Sequence, residues 1–218
     1  MKFAKQMLSF FCFFALSIGS CSNSIKTIDE YNAWLNESRN GCIKTKTIAG
    51  INVDVKYQPP SYVVLKQLSA RKGMSEASRD SIMAVQNKLL TFLITIGPDK
   101  NLAKEKRAGS VMYEGISNQG EYNERVLQMN FFMEQYVRLY IDGKEQQPVL
   151  ALVENLYELS DSRTFVLVFA PLTANENLLK GKEYLFEYDD PFFNLGKVQM
   201  NFAGEKLLLA REINIAWN

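Results

Sequence analysis

Val149-Leu150-Ala151-Leu152-Val153, Thr164-Phe165-Val166-Leu167-Val168-Phe169, Glu183-Tyr184-Leu185-Phe186-Glu187-Tyr188, Val198-Gln199-Met200-Asn201-Phe202 and Lys206-Leu207-Leu208-Leu209 follow one another through the C-terminal part of the chain. Each run is short, apolar or alternating, and bounded by turn residues: Pro171, Gly181, Asp189-Asp190-Pro191, Gly196 and Gly204. Strands at this spacing predict an antiparallel sandwich. Upstream, Val137, Leu139 and Ile141 alternate before Asp142-Gly143, a strong hairpin signal. Leu127, Met129, Phe131 and Met133 also alternate and are read as a strand. A helix across 122–135 is the rival reading, because Met and Leu favour helix and Glu124, Arg125 and Glu134 would then be solvated.

The N-terminal half mixes helix and strand. Thr27-Ile28-Asp29-Glu30 has the form of a capping box, and Ile28, Tyr31, Trp34 and Leu35 then fall on one helical face before Asn40-Gly41 stops the helix. The acids Asp29, Glu30 and Glu37 argue that this face docks on the domain rather than on a bilayer. Residues 42–57 switch to a period of two, with Ala49-Gly50 as the turn and Pro59-Pro60 as the stop. A helix is predicted from Ser75 to Lys88, with Ile82, Val85 and Leu89 on one face. Leu90-Thr91-Phe92-Leu93-Ile94-Thr95-Ile96 reads as a buried strand closed by Gly97-Pro98, and 99–110 as an exposed loop. The expected class is α+β, β-rich, with N-terminal helices followed by an antiparallel, sandwich-like C-terminal part. One mature domain is expected over 21–218, made of a tether at 21–26, a mixed segment at 27–110 and a β-rich segment at 111–218.

The first 20 residues have the three parts of a signal peptide: Lys2 and Lys5, an apolar run from Met7 to Ile18, and small residues at Gly19-Ser20. The run is too short to span, since a transmembrane helix needs roughly 20 apolar residues. Ile18-Gly19-Ser20-Cys21 resembles the lipobox of bacterial lipoproteins, and the leader is similar to those of Bacteroidota. The resemblance covers the first 21 residues and implies that Cys21 is lipidated and becomes the mature N-terminus. Two or three acyl chains would anchor the protein firmly, at about 0.8 kcal/mol per buried methylene. An ordinary signal peptide leaving Cys21 as a free thiol is the alternative. Ser22 is compatible with the outer membrane, and the lack of acidic residues in Ser22-Asn23-Ser24-Ile25 favours its periplasmic face over the cell surface.

Composition excludes several chemistries. Two of the 25 basic side chains lie in the leader, leaving 23 against 24 acids, a formal −1 that gives no reason to expect a nucleic-acid partner. Only Cys42 remains outside the leader and the lipobox, so the mature domain closes no internal disulfide and stands on its core. It is read as a buried thiol, with a reactive one as the alternative. The chain has no histidine, which removes Ser-His and Cys-His pairs, imidazole ligands and the usual base near neutral pH. Ser69-Ala70-Arg71-Lys72 has the Ser-x-x-Lys pattern without its companion motifs. The run Lys100, Lys104, Lys106 and Arg107 is interrupted by Asp99 and Glu105 and reads as a solvated loop. No cofactor motif is found.

Glu183, Glu187, Asp189 and Asp190 form the leading candidate for paired carboxylates or a calcium site. Glu187 and Asp189 stand two apart on a predicted strand, about 7 Å apart on one face. A hard cation wants about 6 to 8 oxygens, and Asp189-Asp190-Pro191 reads equally as a turn whose side chains accept from nearby amides. Two functions follow as expectations: a non-enzymatic envelope lipoprotein that binds or assembles with an envelope protein, and a carboxylate-dependent hydrolase or glycan-acting enzyme. Cys21→Ser is expected to abolish metabolic labelling with palmitate and to release the protein from membranes. Unchanged labelling in the variant overturns the lipobox reading.

Overall fold

The computed structural model describes residues 25, 27–70, 75–103, 108–154, 160–173 and 176–213. Two hairpins set the frame. Strands β1 (Ile43–Ile48) and β2 (Ile51–Gln58) turn on Ala49-Gly50, with φ of 50° and 79°. Strands β4 (Val137–Ile141) and β5 (Lys144–Gln146) turn on Asp142-Gly143, with φ of 49° and 83°. Positive φ at both central residues is the turn geometry whose twist matches paired strands. The remaining strands are β3 (Leu90–Pro98), β6 (Leu150–Val153), β7 (Arg163–Phe169), β8 (Glu183–Asp189) and β9 (Lys197–Ala203). They form a five-stranded sheet of order β1-β2-β3-β7-β6 and a four-stranded sheet of order β5-β4-β8-β9. Every strand pair is antiparallel.

The sheets pack through alternating positions. Val53, Val55 and Tyr57 of β2, Phe92, Ile94 and Ile96 of β3, and Phe165, Leu167 and Phe169 of β7 are fully buried from one side. Tyr184, Phe186 and Tyr188 of β8 and Val198, Met200 and Phe202 of β9 are buried from the other. Phe92 is at the centre. Its ring lies 5.5 Å from Tyr57 and 6.2 Å from Phe169 in its own sheet, and 5.7 Å from Phe186 and 5.4 Å from Phe202 across the sandwich.

Five helices are described: α1 (Ile28–Asn36), α2 (Pro60–Ala70), α3 (Glu76–Gln86), α4 (Gln119–Phe131) and α5 (Gly204–Arg211). Thr27 caps α1 by accepting from the Glu30 amide at 3.1 Å, as the capping box predicts. The helix buries Tyr31 and Leu35 in the domain core, with Ile28 and Trp34 packed at its margin. Tyr31 ties three elements together. Its hydroxyl donates to the Ala210 carbonyl at 2.6 Å in α5, meets Ser61 Oγ at 2.9 Å in α2, and its ring stands edge-on to Tyr62 at 5.3 Å. The α+β class and the N-terminal helices stand as expected.

The structure departs from the sequence reading at four places. Residues 127–131 are not a strand but part of α4, the rival reading. Asn118 caps it by accepting from the Glu121 amide at 3.1 Å, and Glu121 accepts in return from the Ser117 amide at 2.7 Å. Arg125 and Met129, four residues apart, are its buried face, so helical spacing prevails over the alternation of apolar residues. Lys206–Leu209 is likewise helical, within α5, where Gly204, Leu207 and Ala210 are buried three apart. Helix α2 was not anticipated, because Pro59-Pro60 read only as a strand stop, whereas Pro60 opens the helix, a position where its missing N–H costs nothing. Helix α3 lies where it is expected, with Ser75 capping it by accepting from the Ser78 amide at 3.2 Å, but no residue of the helix is buried and Val85 is 58% exposed. The leader, Cys21, the Ser22-Asn23-Ser24 tether, the Arg71-Lys72 half of the Ser-x-x-Lys pattern, and Lys104, Lys106 and Arg107 lie outside the described residues.

Phe92→Ala is expected to cost about 3–5 kcal/mol, the scale for removing a buried aromatic ring. Val85→Ala should stay within about 0.5 kcal/mol, as for other exposed positions. Urea unfolding measures both, and similar costs at the two positions would contradict this placement of the core.

Candidate functional site

Strand β8 sends Tyr184, Phe186 and Tyr188 into the core, which turns Glu183, Leu185, Glu187 and Asp189 to the outer face of the four-stranded sheet. There Glu187 stands between Arg138 of β4 and Gln199 of β9. Gln199 Nε2 donates to its Oε2 at 2.6 Å and Lys197 Nζ to its Oε1 at 3.1 Å. The Gln199 amide and then the Lys197 ammonium hold the carboxyl below the ordinary carboxylate range, against the opposing pull of burial. A general acid requires the opposite shift. Lys197 also reaches Asp189 at 3.9 Å, and Arg138 pairs with Glu145 at 3.1 Å. The outer face is therefore a ladder of compensated charges.

Asp190 serves the turn that follows. Its Oδ1 accepts from the Tyr188 hydroxyl at 2.8 Å and the Phe192 amide at 3.2 Å, and its Oδ2 from the amides of Phe193 at 2.8 Å and Leu195 at 3.0 Å. Sequence reading anticipated this turn role. Glu187 and Asp190 are thus committed to different partners rather than to a shared site. Among the described residues, no group of three His, Cys, Asp or Glu side chains is placed to hold a metal.

Two buried polar groups escaped or qualify the sequence reading. Arg125, expected to be solvated if helical, is only 8% exposed. Its guanidinium donates to the carbonyls of Val111 at 3.0 Å, Glu114 at 2.5 Å and Phe192 at 3.3 Å, and lies 5.0 Å above the Phe193 ring. It pins α4 to the 111–114 loop and to the Asp190 turn, a structural role signalled only by its four-residue spacing from Met129. Cys42 is fully buried and donates to the Asn40 carbonyl at 3.7 Å. Burial pushes its thiol up to about 11, so it is protonated at neutral pH, and a protonated thiol is not a nucleophile.

A groove of about 830 Å³ runs between residues 177–183 and one side of α5, from Gly204 to Arg211. Lys180, Lys182 and Arg211 line it together with Glu183 and Glu205, so it presents no field of single sign. Gly204 forms part of its floor. Its amide donates to the Lys182 carbonyl at 2.6 Å, and a Cβ there would fall 2.1 Å from the Gly181 carbonyl oxygen.

The remaining feature is apolar. Val149, just before β6, is 58% exposed, and Leu150 and Leu152 within it are 43% and 51% exposed, at the edge of the five-stranded sheet. Helix α4 packs beside this strand and exposes Leu127 and Phe131. Sequence reading took Val149–Val153 for an ordinary strand, and only its place at the sheet edge reveals this surface.

No family model and no curated protein matches the chain. Among solved structures it is similar to a protein of unknown function from Burkholderia pseudomallei, at 11% identity over 87% of this chain and 94% of that one, with a TM-score of 0.37. No described helix is long and apolar enough to cross a membrane.

Because the folded-state pKa of Glu187 lies below its unfolded value, its stabilisation is present above the unfolded carboxylate range and is lost as pH falls through the folded one. Glu187→Gln should therefore melt below the wild type at pH 7, and the gap should close as pH falls below about 4. A gap that stays constant from about pH 7 to pH 3 would show that the Lys197 and Gln199 contacts do not depend on the charge.

Proposed function

We propose that this chain is a lipid-anchored cell-envelope protein, held at the periplasmic face of the outer membrane through Cys21, whose domain is a non-enzymatic binding or assembly module. The observation that carries the reading is the apolar β6 edge beside the exposed face of α4. Natural proteins blunt sheet edges with charge, proline or short strands, and an edge left apolar is a template for pairing. Edge β1 carries Lys44 and Lys46, and β5 is only three residues long. Leu150–Val153 carries no charge. The polar groups, by contrast, are committed within the domain: Glu187 to Lys197 and Gln199, Asp190 to its turn, Arg125 to three carbonyls. The carboxylate-enzyme alternative needs two convergent carboxyls with divergent pKa values, and Glu187 and Asp190 serve separate partners.

A photoreactive amino acid replacing Leu152 in the full-length protein, irradiated in intact envelopes, is expected to give protein adducts. The same group replacing the exposed Asn201 on the outer face of the four-stranded sheet should give none. Absence of adducts at 152, or equal yields at both positions, overturns the binding-module reading.

A further inference from the structure

We propose that the groove along α5 binds a short acidic peptide with free termini, which lays its terminal carboxylate on Arg211 and its terminal ammonium against Glu183 and Glu205. Arg211 carries the argument. Arg39, Arg79 and Arg138 each pair with a carboxylate, and Arg125 and Arg163 donate to backbone carbonyls. Arg211 is half-buried, yet no donor of its guanidinium meets an acceptor among the described residues, and its Nε is shielded from solvent as well. A shielded donor without an acceptor is costly, and the planar fork of a guanidinium matches a carboxylate. The charge also reaches the fully buried Tyr57 hydroxyl, whose pKa burial raises and Arg211 lowers. That buried neighbour is thus a neutral phenol rather than an acid, so the charge is left for the groove.

The opposite end of the groove is acidic. Glu205, Leu208 and Arg211 stand three apart on α5 and all line the groove, the spacing that puts residues side by side on a helix surface. Glu183 is registered with Ala203, the residue before α5, so both carboxylates belong to the first turn of the helix and Arg211 to the last. Glu183 and Glu205 are exposed, and their side chains make no hydrogen bond or ion pair among the described residues, although Lys180 and Lys182 line the same groove. Cations and carboxylates that share a groove without pairing leave both signs to a ligand. Between the two ends, Leu179 and Leu208 make the wall apolar.

Length and charge narrow the ligand to a peptide of about three residues. From Glu205 to Arg211 the helix rises about 9 Å, and a chain of three residues spans at most about 10 Å. The groove volume of about 830 Å³ falls in the usual range for small-ligand sites, about 300–1,000 Å³. Lys180, Lys182 and Arg211 against Glu183 and Glu205 give the groove a net +1, which a peptide with free termini and one acidic side chain balances. No residue of β6 or α4 lines the groove, so this ligand is separate from the partner of the β6 edge.

The probe is the tripeptide Ala-Glu-Ala, titrated calorimetrically into the detergent-solubilised full-length protein beside its N-acetylated, C-amidated and doubly blocked forms and Ala-Lys-Ala. Ala-Glu-Ala is expected to bind, and blocking both termini to weaken it by at least about tenfold, the scale of a lost hydrogen bond between charged groups. Arg211→Gln should impose a similar loss on Ala-Glu-Ala and leave the affinity for the C-amidated form unchanged. Glu205→Gln, at an exposed position that the fold does not depend on, should weaken Ala-Glu-Ala and leave the N-acetylated form unchanged, and it tests the site even if Arg211→Gln does not fold. Absence of binding, equal affinity for free and doubly blocked peptides, or an Ala-Lys-Ala that binds as tightly as Ala-Glu-Ala overturns the proposal. A Glu205→Gln variant that binds every form as the wild type does overturns it too, while the reading of the β6 edge stands.

Discussion

The ring contacts that Phe92 makes with Phe186 and Phe202, at 5.7 and 5.4 Å, join the two sheets into one body. Each buried aromatic removes about 150–250 Å² from water, and at about 25 cal/mol per Å² that gives a gross gain of several kcal/mol per ring. The described residues contain a single, free cysteine, so no disulfide supplements this. Tyr57 and Phe169 flank Phe92 within its own sheet. The centre of the fold is therefore an aromatic cluster drawn from β2, β3, β7, β8 and β9, and the register of each strand is constrained by it, since a slip of one residue would turn these rings to solvent.

The helices finish what the sheets leave open. Helix α4 brings Met129 into the core and packs beside β6, with Arg125 bonded to three carbonyls from two loops. Tyr31, near the start of the described chain, reaches Ala210 near its end through a buried 2.6 Å hydrogen bond. Burial and the proximity of Cys42 raise the Tyr31 pKa above the usual phenol range, against the lowering by Ser61. It therefore stays a neutral donor at every physiological pH. Terminal segments fray unless tied down, and this bond is such a tie.

Much of this was legible in the chain, and the failures share a cause. The two positive-φ hairpins, the Thr27 cap, the buried strand around Phe92 and the Asp190 turn rest on local chemistry and were read correctly. Leu127–Met133 and Lys206–Leu209 were misread because short apolar runs satisfy both periods, and what decides them is tertiary: Arg125 and Met129, or Leu207 and Ala210, have something to bury against only on one helical face. Tertiary context also explains the candidate surface. Nothing in Leu150-Ala151-Leu152-Val153 distinguishes an edge strand from a central one. The sheet order does, by placing β6 outermost and leaving α4 rather than another strand beside it.

The membrane anchor proposed at Cys21 changes what such an edge can do. A single short strand edge offers a small contact, marginal for two proteins meeting freely in solution, because association must first offset lost translational and rotational freedom. A domain and a partner both anchored in one leaflet would already have surrendered most of that freedom. The second contact then behaves as an intramolecular one, governed by the effective concentration that tether length sets. With the anchor proposed at Cys21 and a partner at the β6 edge, the domain would be held at two points, and its orientation over the lipid surface would follow from both.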